Sequence, residues 1–126
     1  MAIRYFTREE VDDLLPEIEP LVGRLLERRA KVARVGQQID DRLTDLHTDF
    51  ANPESTQLAY EFEVIEELVD QIQSYGCVVK SLEVGLVDFL SDMNGRDVYL
   101  CWRYGEPQIS YYHDIHAGFQ DRRPLD

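Results

Sequence analysis

The chain is poor in positive charge, in cysteine and in long apolar runs. Its 126 residues carry 13 Lys and Arg against 25 Asp and Glu, a formal charge of −12. Nucleic acid and anionic membranes both reward positive charge, so neither is an expected partner. No apolar run approaches the roughly 20 residues that span a bilayer. The opening MAIRYFTREEVDD lacks the apolar core of a secretion signal, so a cytoplasmic location is expected. Only two cysteines are present, Cys77 and Cys101, and they make no close pair of the kind that founds a structural metal site. A reducing compartment keeps both as thiols.

What the chain does have is amphipathic periodicity. Thr7-Arg8-Glu9-Glu10 fits a capping box, with Phe6 and Val11 placed as a hydrophobic staple. Apolar residues then recur at Val11, Ile18, Leu25, Val32, Ile39 and Leu46, which predicts a long helix to about His47. Pro16 and Pro20 fall inside it, and a kink or break is expected near residues 15 to 20. Asn52-Pro53 opens a second helix whose stripe is Leu58, Phe62, Ile65, Val69 and Ile72, ending at Tyr75-Gly76. A loop of about five residues makes the helices antiparallel. Aligning their stripes sets Ile39 near Ile65, Val32 near Ile72 and Arg34 near Asp70.

Gly85 to His113 reads as three strands of an antiparallel meander. Asn94-Gly95 is the preferred pair for a two-residue type I′ hairpin. It sets Val87, Phe89 and Ser91 opposite Trp102, Leu100 and Val98 on a core face. Leu86, Asp88 and Leu90 then oppose Arg103, Cys101 and Tyr99 on the other. At Gly105-Glu106-Pro107 a two- or four-residue loop puts Ile109 opposite Trp102 and Ser110 opposite Cys101. A three-residue loop turns Tyr111 and His113 toward Cys101 instead. The first register is preferred because it adds Ile109 to the apolar face. The expected fold is therefore α+β, one domain: an antiparallel helical hairpin over residues 7–76, a three-stranded meander over 77–113 and a tail over 114–126. Ile115, Phe119 and Leu125 are placed to pin that tail.

No motif identifies a reaction. The richest chemistry lies on the second face of the meander, where Asp88, Tyr99, Cys101, Arg103, Ser110 and Tyr112 gather, with Glu106 and His113 at its ends. A carboxylate across from a thiol can hold a metal, polarise a small molecule or shift the thiol pKa, and it can equally be a self-satisfied sheet surface. Candidate ligand residues are Asp88, Tyr99, Cys101, Glu106 and His113. Cys101, His113 and His116, with Cys77, are weaker candidates for a divalent ion such as zinc. No other cofactor is indicated. The acidic second helix, with no Lys or Arg, faces basic residues from Arg24 to Arg34 and reads as charge pairing between helices.

The segments FTREEVDDLLPEIEPL, GCVVKSLEVGLVDF, VYLCWRYGE, ISYYH and GFQDRRPL resemble the uncharacterised family called domain of unknown function 2203. The resemblance runs over nearly the whole chain. It implies a small cytoplasmic α+β protein with no established activity. The family pattern includes Asp88, Cys101, Trp102, Gly105, Glu106, His113, Gly118, Phe119, Arg122 and Pro124 as they stand here. Leu90 stands where the family has proline, and Tyr112 where it often has Trp.

Two functional readings follow. The stripe on the first helix is too wide for one partner helix to cover, so the leading expectation is a non-enzymatic interaction or scaffolding protein. It would act as a coiled-coil-like homodimer or through a protein partner. The alternative is a metal- or small-molecule-binding protein, enzyme or not, using the polar face of the meander.

Overall fold

The structure, a computed structural model, describes residues 3–43 and 53–126. Two helices, α1 (Arg8–Leu43) and α2 (Pro53–Gln73), precede five strands, β1 (Val78–Ser81), β2 (Leu86–Met93), β3 (Arg96–Arg103), β4 (Tyr111–Asp114) and β5 (Arg123–Pro124). The strands form one antiparallel sheet in sequence order. The α+β class holds, and the expected three strands become five. The additions are both edges: a short strand straight after α2, and the tail folded back on β4.

α1 starts as the capping box requires. The Thr7 amide donates to Glu10 Oε1 at 3.0 Å and the Glu10 amide to Thr7 Oγ1 at 3.1 Å. Phe6 and Val11 are both buried in the core. The helix runs without a break through Pro16 and Pro20. Both prolines are exposed, so the carbonyls they leave unbonded, at Asp12 and Pro16, lie on the watered side. The expected helix end near His47 and the five-residue loop fall on residues outside those described.

α2 lies along a different part of α1 than the stripe alignment predicts. Glu61 is fully buried, 3.2 Å from both Arg28 Nη1 and Lys31 Nζ, so the turn before Ile65 stands level with residues 28–31. Ile39 is therefore not level with Ile65, and Arg34 with Asp70 is not the charge pair that forms. The buried face of α2 is Glu61, Ile65, Leu68 and Ile72, whereas Phe62 is exposed. A carboxylate holding two cations occupies a stripe position that sequence reading gives to an apolar residue.

The N-terminal half of α1 and the C-terminal half of α2 pack on one sheet face. Val11, Ile18, Val22 and Leu25 meet Val87, Phe89, Leu100 and Trp102 in a single core that includes Ile65 and Ile72. The first hairpin has the expected register, from Met93 opposite Arg96 to Leu86 opposite Arg103. Its turn residues Asn94 and Gly95 carry the φ values of 54° and 84° that a type I′ turn demands. The N-terminus is tied to the same strand, with the Phe6 amide donating to Leu90 O at 2.7 Å and Ser91 Oγ to Phe6 O at 2.6 Å.

The second hairpin overturns the preferred register. Cys101 pairs with Tyr111, Leu100 with Tyr112 and Tyr99 with His113. Ile109 is not opposite Trp102, nor Ser110 opposite Cys101, yet Ile109 is fully buried. It reaches the core from residues 104–110, between the strands, where its amide donates to Asp12 Oδ1 at 2.7 Å rather than to β3. The Trp102 indole N–H donates to Glu106 O at 3.0 Å and shapes the same connection. The apolar face thus gains Ile109 without using it in the ladder. The strand that follows is free to turn Tyr111 and His113 toward Asp88.

Candidate metal centre

Alternation along β2, β3 and β4 delivers Asp88, Cys101 and His113 to the sheet face away from the helices. All three are buried, at 2%, 1% and 4% exposure. One ligand atom from each, a carboxylate oxygen, Sγ and a ring nitrogen, lies within 4.8 Å of the other two. Such burial of a carboxylate, a thiol and an imidazole needs a compensating arrangement.

The hydrogen bonds fix the protonation of the cluster. His113 Nδ1 lies 2.8 Å from Asp114 O, and a carbonyl only accepts, so Nδ1 carries a proton and donates it. His113 Nε2 lies 3.0 Å from Asp88 Oδ2. Two lone pairs do not meet at that distance, so one further proton is shared between them. Asp88 Oδ1 is buried with no hydrogen-bond partner. Burial pushes the Asp88 carboxyl above its ordinary range, against the opposing pull of His113. Burial, reinforced by the Asp88 charge, pushes the Cys101 thiol up to about 12, so it too keeps its proton at neutral pH.

A cavity of about 290 Å³ opens on this cluster, lined also by Lys80, Leu86, Tyr99 and the tail residues Ile115 and Ala117 to Phe119. Tyr99 packs its ring 5.7 Å from that of His113. The tail is held over this side by Arg122, whose guanidinium lies 3.9 Å from the Tyr111 ring centre and 4.7 Å from that of Phe119. Arg122 Nη2 also donates to Cys101 O at 3.0 Å and to Glu106 Oε1 at 2.8 Å.

Four of the five candidate ligand residues therefore converge and one does not. Asp88, Cys101 and His113 form the cluster, and Tyr99 lines its cavity. Glu106 instead binds Arg122 and accepts the Arg103 amide at 2.7 Å, a brace for the loop and tail. Tyr112 faces the core, and Ser110 Oγ turns back to Gln108 O. His116 is exposed and lines a separate hollow with Arg96 and Asp97. Cys77 is on the helix side, donating to Ile72 O at 3.3 Å, with burial pushing its pKa to about 11. The set Cys77, Cys101, His113 and His116 is not assembled.

Lys80 was missed by sequence reading. The ladder between β1 and β2 passes from Val79 opposite Val87 to Ser81 opposite Leu86, so Lys80 is the extra residue of a bulge. Sequence carries no sign of that bulge.

The family's sequence model matches residues 4–125. The chain belongs to DUF2203, a family of uncharacterized conserved proteins. No curated protein and no solved structure matches it. The DUF2203 assignment leaves function unknown, so function has to be argued from the site.

Proposed function

We propose that this DUF2203 chain is a metal-binding protein, holding one divalent ion of the zinc type on Asp88, Cys101 and His113. The observation that carries this reading is the unpartnered, buried Asp88 Oδ1 beside a thiol and a histidine whose Nδ1–H is already committed to a backbone carbonyl. That carbonyl contact is the support a metal-ligating imidazole uses, since it fixes the tautomer with Nε2 toward the ion. Thiolate, imidazole and carboxylate are all zinc ligands, at about 2.0–2.3 Å.

Charge balance supports the same reading. The metal-free cluster holds a thiol proton and the proton shared by Asp88 and His113. A divalent ion displaces both and leaves a neutral site, which is why a cluster this buried can exist in either state. Three protein ligands leave a coordination position toward the cavity, the arrangement of zinc sites that act on small molecules. Equilibrium dialysis against zinc tests the proposal. One ion per chain is expected, lost in Cys101→Ser and in Asp88→Asn while both variants unfold cooperatively. Undiminished zinc in both variants would overturn it.

A second reading, association of two copies, has its own support. Arg29, Val32, Ala33, Phe62, Ile65 and Leu82 line an apolar groove between the helices, and Phe62 and Tyr60 are 55% and 56% exposed. Exposed Glu63, Glu66 and Glu67 on α2 complement exposed Arg24 and Arg34 on α1, as an antiparallel pairing of two chains requires. Sedimentation equilibrium should give a dimer that Phe62→Glu dissociates; a wild-type monomer would exclude it.

A further inference from the structure

We infer that the cavity takes a small monocarboxylate, bound between Lys80 and the ion on Asp88, Cys101 and His113. This rests on the metal reading and adds the class of ligand.

The cavity contains one cationic side chain among its lining residues. Lys80 stands at its rim with Nζ 5.4 Å from the Tyr99 ring centre, and it makes no ion pair among the described residues. In a chain of net charge −12, with most other basic groups near the site already engaged, that is an unspent charge. Arg122 is held by Glu106, and Arg96 by Asp114.

The backbone places it there. Lys80 is the added residue of the β1 bulge, and a bulge beside a site re-aims a side chain. A divalent ion with a thiolate, a carboxylate and a neutral imidazole has no net charge. Lys80 then leaves the cavity one positive charge in excess, which a monoanion cancels and a dianion exceeds. Leu86, Ile115, Ala117 and Phe119 supply apolar walls for a short hydrocarbon part. The volume of about 290 Å³ is at the low end for ligand cavities, so a nucleotide or a long acyl chain does not fit. A carboxylate oxygen can replace water at the ion while Lys80 donates to the same group, a simple ligand exchange with no bond made or broken in the anion.

The test uses cobalt(II) in place of zinc, with propionate and its neutral isostere propionamide as probes. Wild-type protein should show thiolate-to-cobalt charge-transfer absorption that propionate shifts saturably and propionamide does not. Lys80→Met should keep the cobalt spectrum and weaken propionate by about tenfold, the loss expected for one charge-assisted hydrogen bond, and Lys80→Arg should restore most of it. A normal cobalt spectrum untouched by propionate overturns the monocarboxylate and leaves the metal reading standing. So does an equal response to propionamide, or an unchanged affinity in Lys80→Met. Absence of the charge-transfer band in wild-type protein overturns both.

Discussion

Asp12 is a helix residue that anchors the connection leading into the strand of His113, and removing its carboxylate measures that link. Asp12 Oδ1 accepts the Ile109 amide at 2.7 Å, and Ile109 has no exposed surface. Asp12→Ala leaves a backbone N–H unpaired next to the core, with no strand partner within its ladder. A hydrogen bond to a charged acceptor contributes about 1.5–3 kcal/mol, and an orphaned donor costs a similar amount. With a urea slope of about 1.5 kcal/mol/M, the unfolding midpoint should fall by about 1–2 M. Trp102, the single tryptophan, is fully buried in the core, so its fluorescence reports the transition. Asp12→Asn keeps an acceptor and should lose less than half as much. The variant should also bind zinc more weakly, because this contact ties to α1 the connection that leads into β4 and His113. A midpoint within about 0.3 M of wild type for Asp12→Ala, or equal losses for Ala and Asn, would refute the reasoning.

Other substitutions probe the remaining parts of the fold. Gly85 has φ +75°, and an added Cβ would lie 2.9 Å from Val22 Cγ1 and from Tyr104 Cβ; Gly85→Ala should destabilise by about 2–4 kcal/mol in the same urea assay. Glu61→Leu should leave the midpoint unchanged or raise it, whereas Arg28→Met with Lys31→Met should lower it by stranding a buried carboxylate. The Glu61 carboxyl is held below its ordinary value by the hydrogen bonds of Lys31 and Arg28, which outweigh the opposing effect of burial, the largest single influence. Its contribution to stability is therefore present above the unfolded-state pKa and is lost as pH falls through the folded one, a slope that disappears in Glu61→Leu. Both thiols are buried and protonated, Cys101 up to about 12 and Cys77 to about 11, so a disulfide-exchange reagent at pH 8 should label neither in the native protein and both in urea.

Much of this architecture is legible in the residues because local chemistry decides it. Thr7 with Glu10, and Asn94 with Gly95, specify a helix start and a hairpin register by side-chain reach and φ alone. Asp88 opposite Cys101 follows by counting. Two of the misreadings occur where a long-range polar contact outranks a local pattern. Glu61 takes a buried stripe position because Arg28 and Lys31 reach it from the other helix. Ile109 leaves the ladder because Asp12, 97 positions away, captures its amide. The edge strands β1 and β5 are too short for a period to announce them, and β1 carries the bulge that aims Lys80. His113 thus reaches Asp88 through the register that hydrophobic patterning disfavours.

The most direct measurement is zinc binding by calorimetry in buffers of differing ionisation enthalpy, which counts the protons released. At pH 7 the account predicts one site per chain and a release approaching about two protons, one from Cys101 and one from the Asp88–His113 pair, falling by about one in Cys101→Ser wherever residual binding can be measured. Zinc binding that releases no protons, or no binding at all, would contradict it.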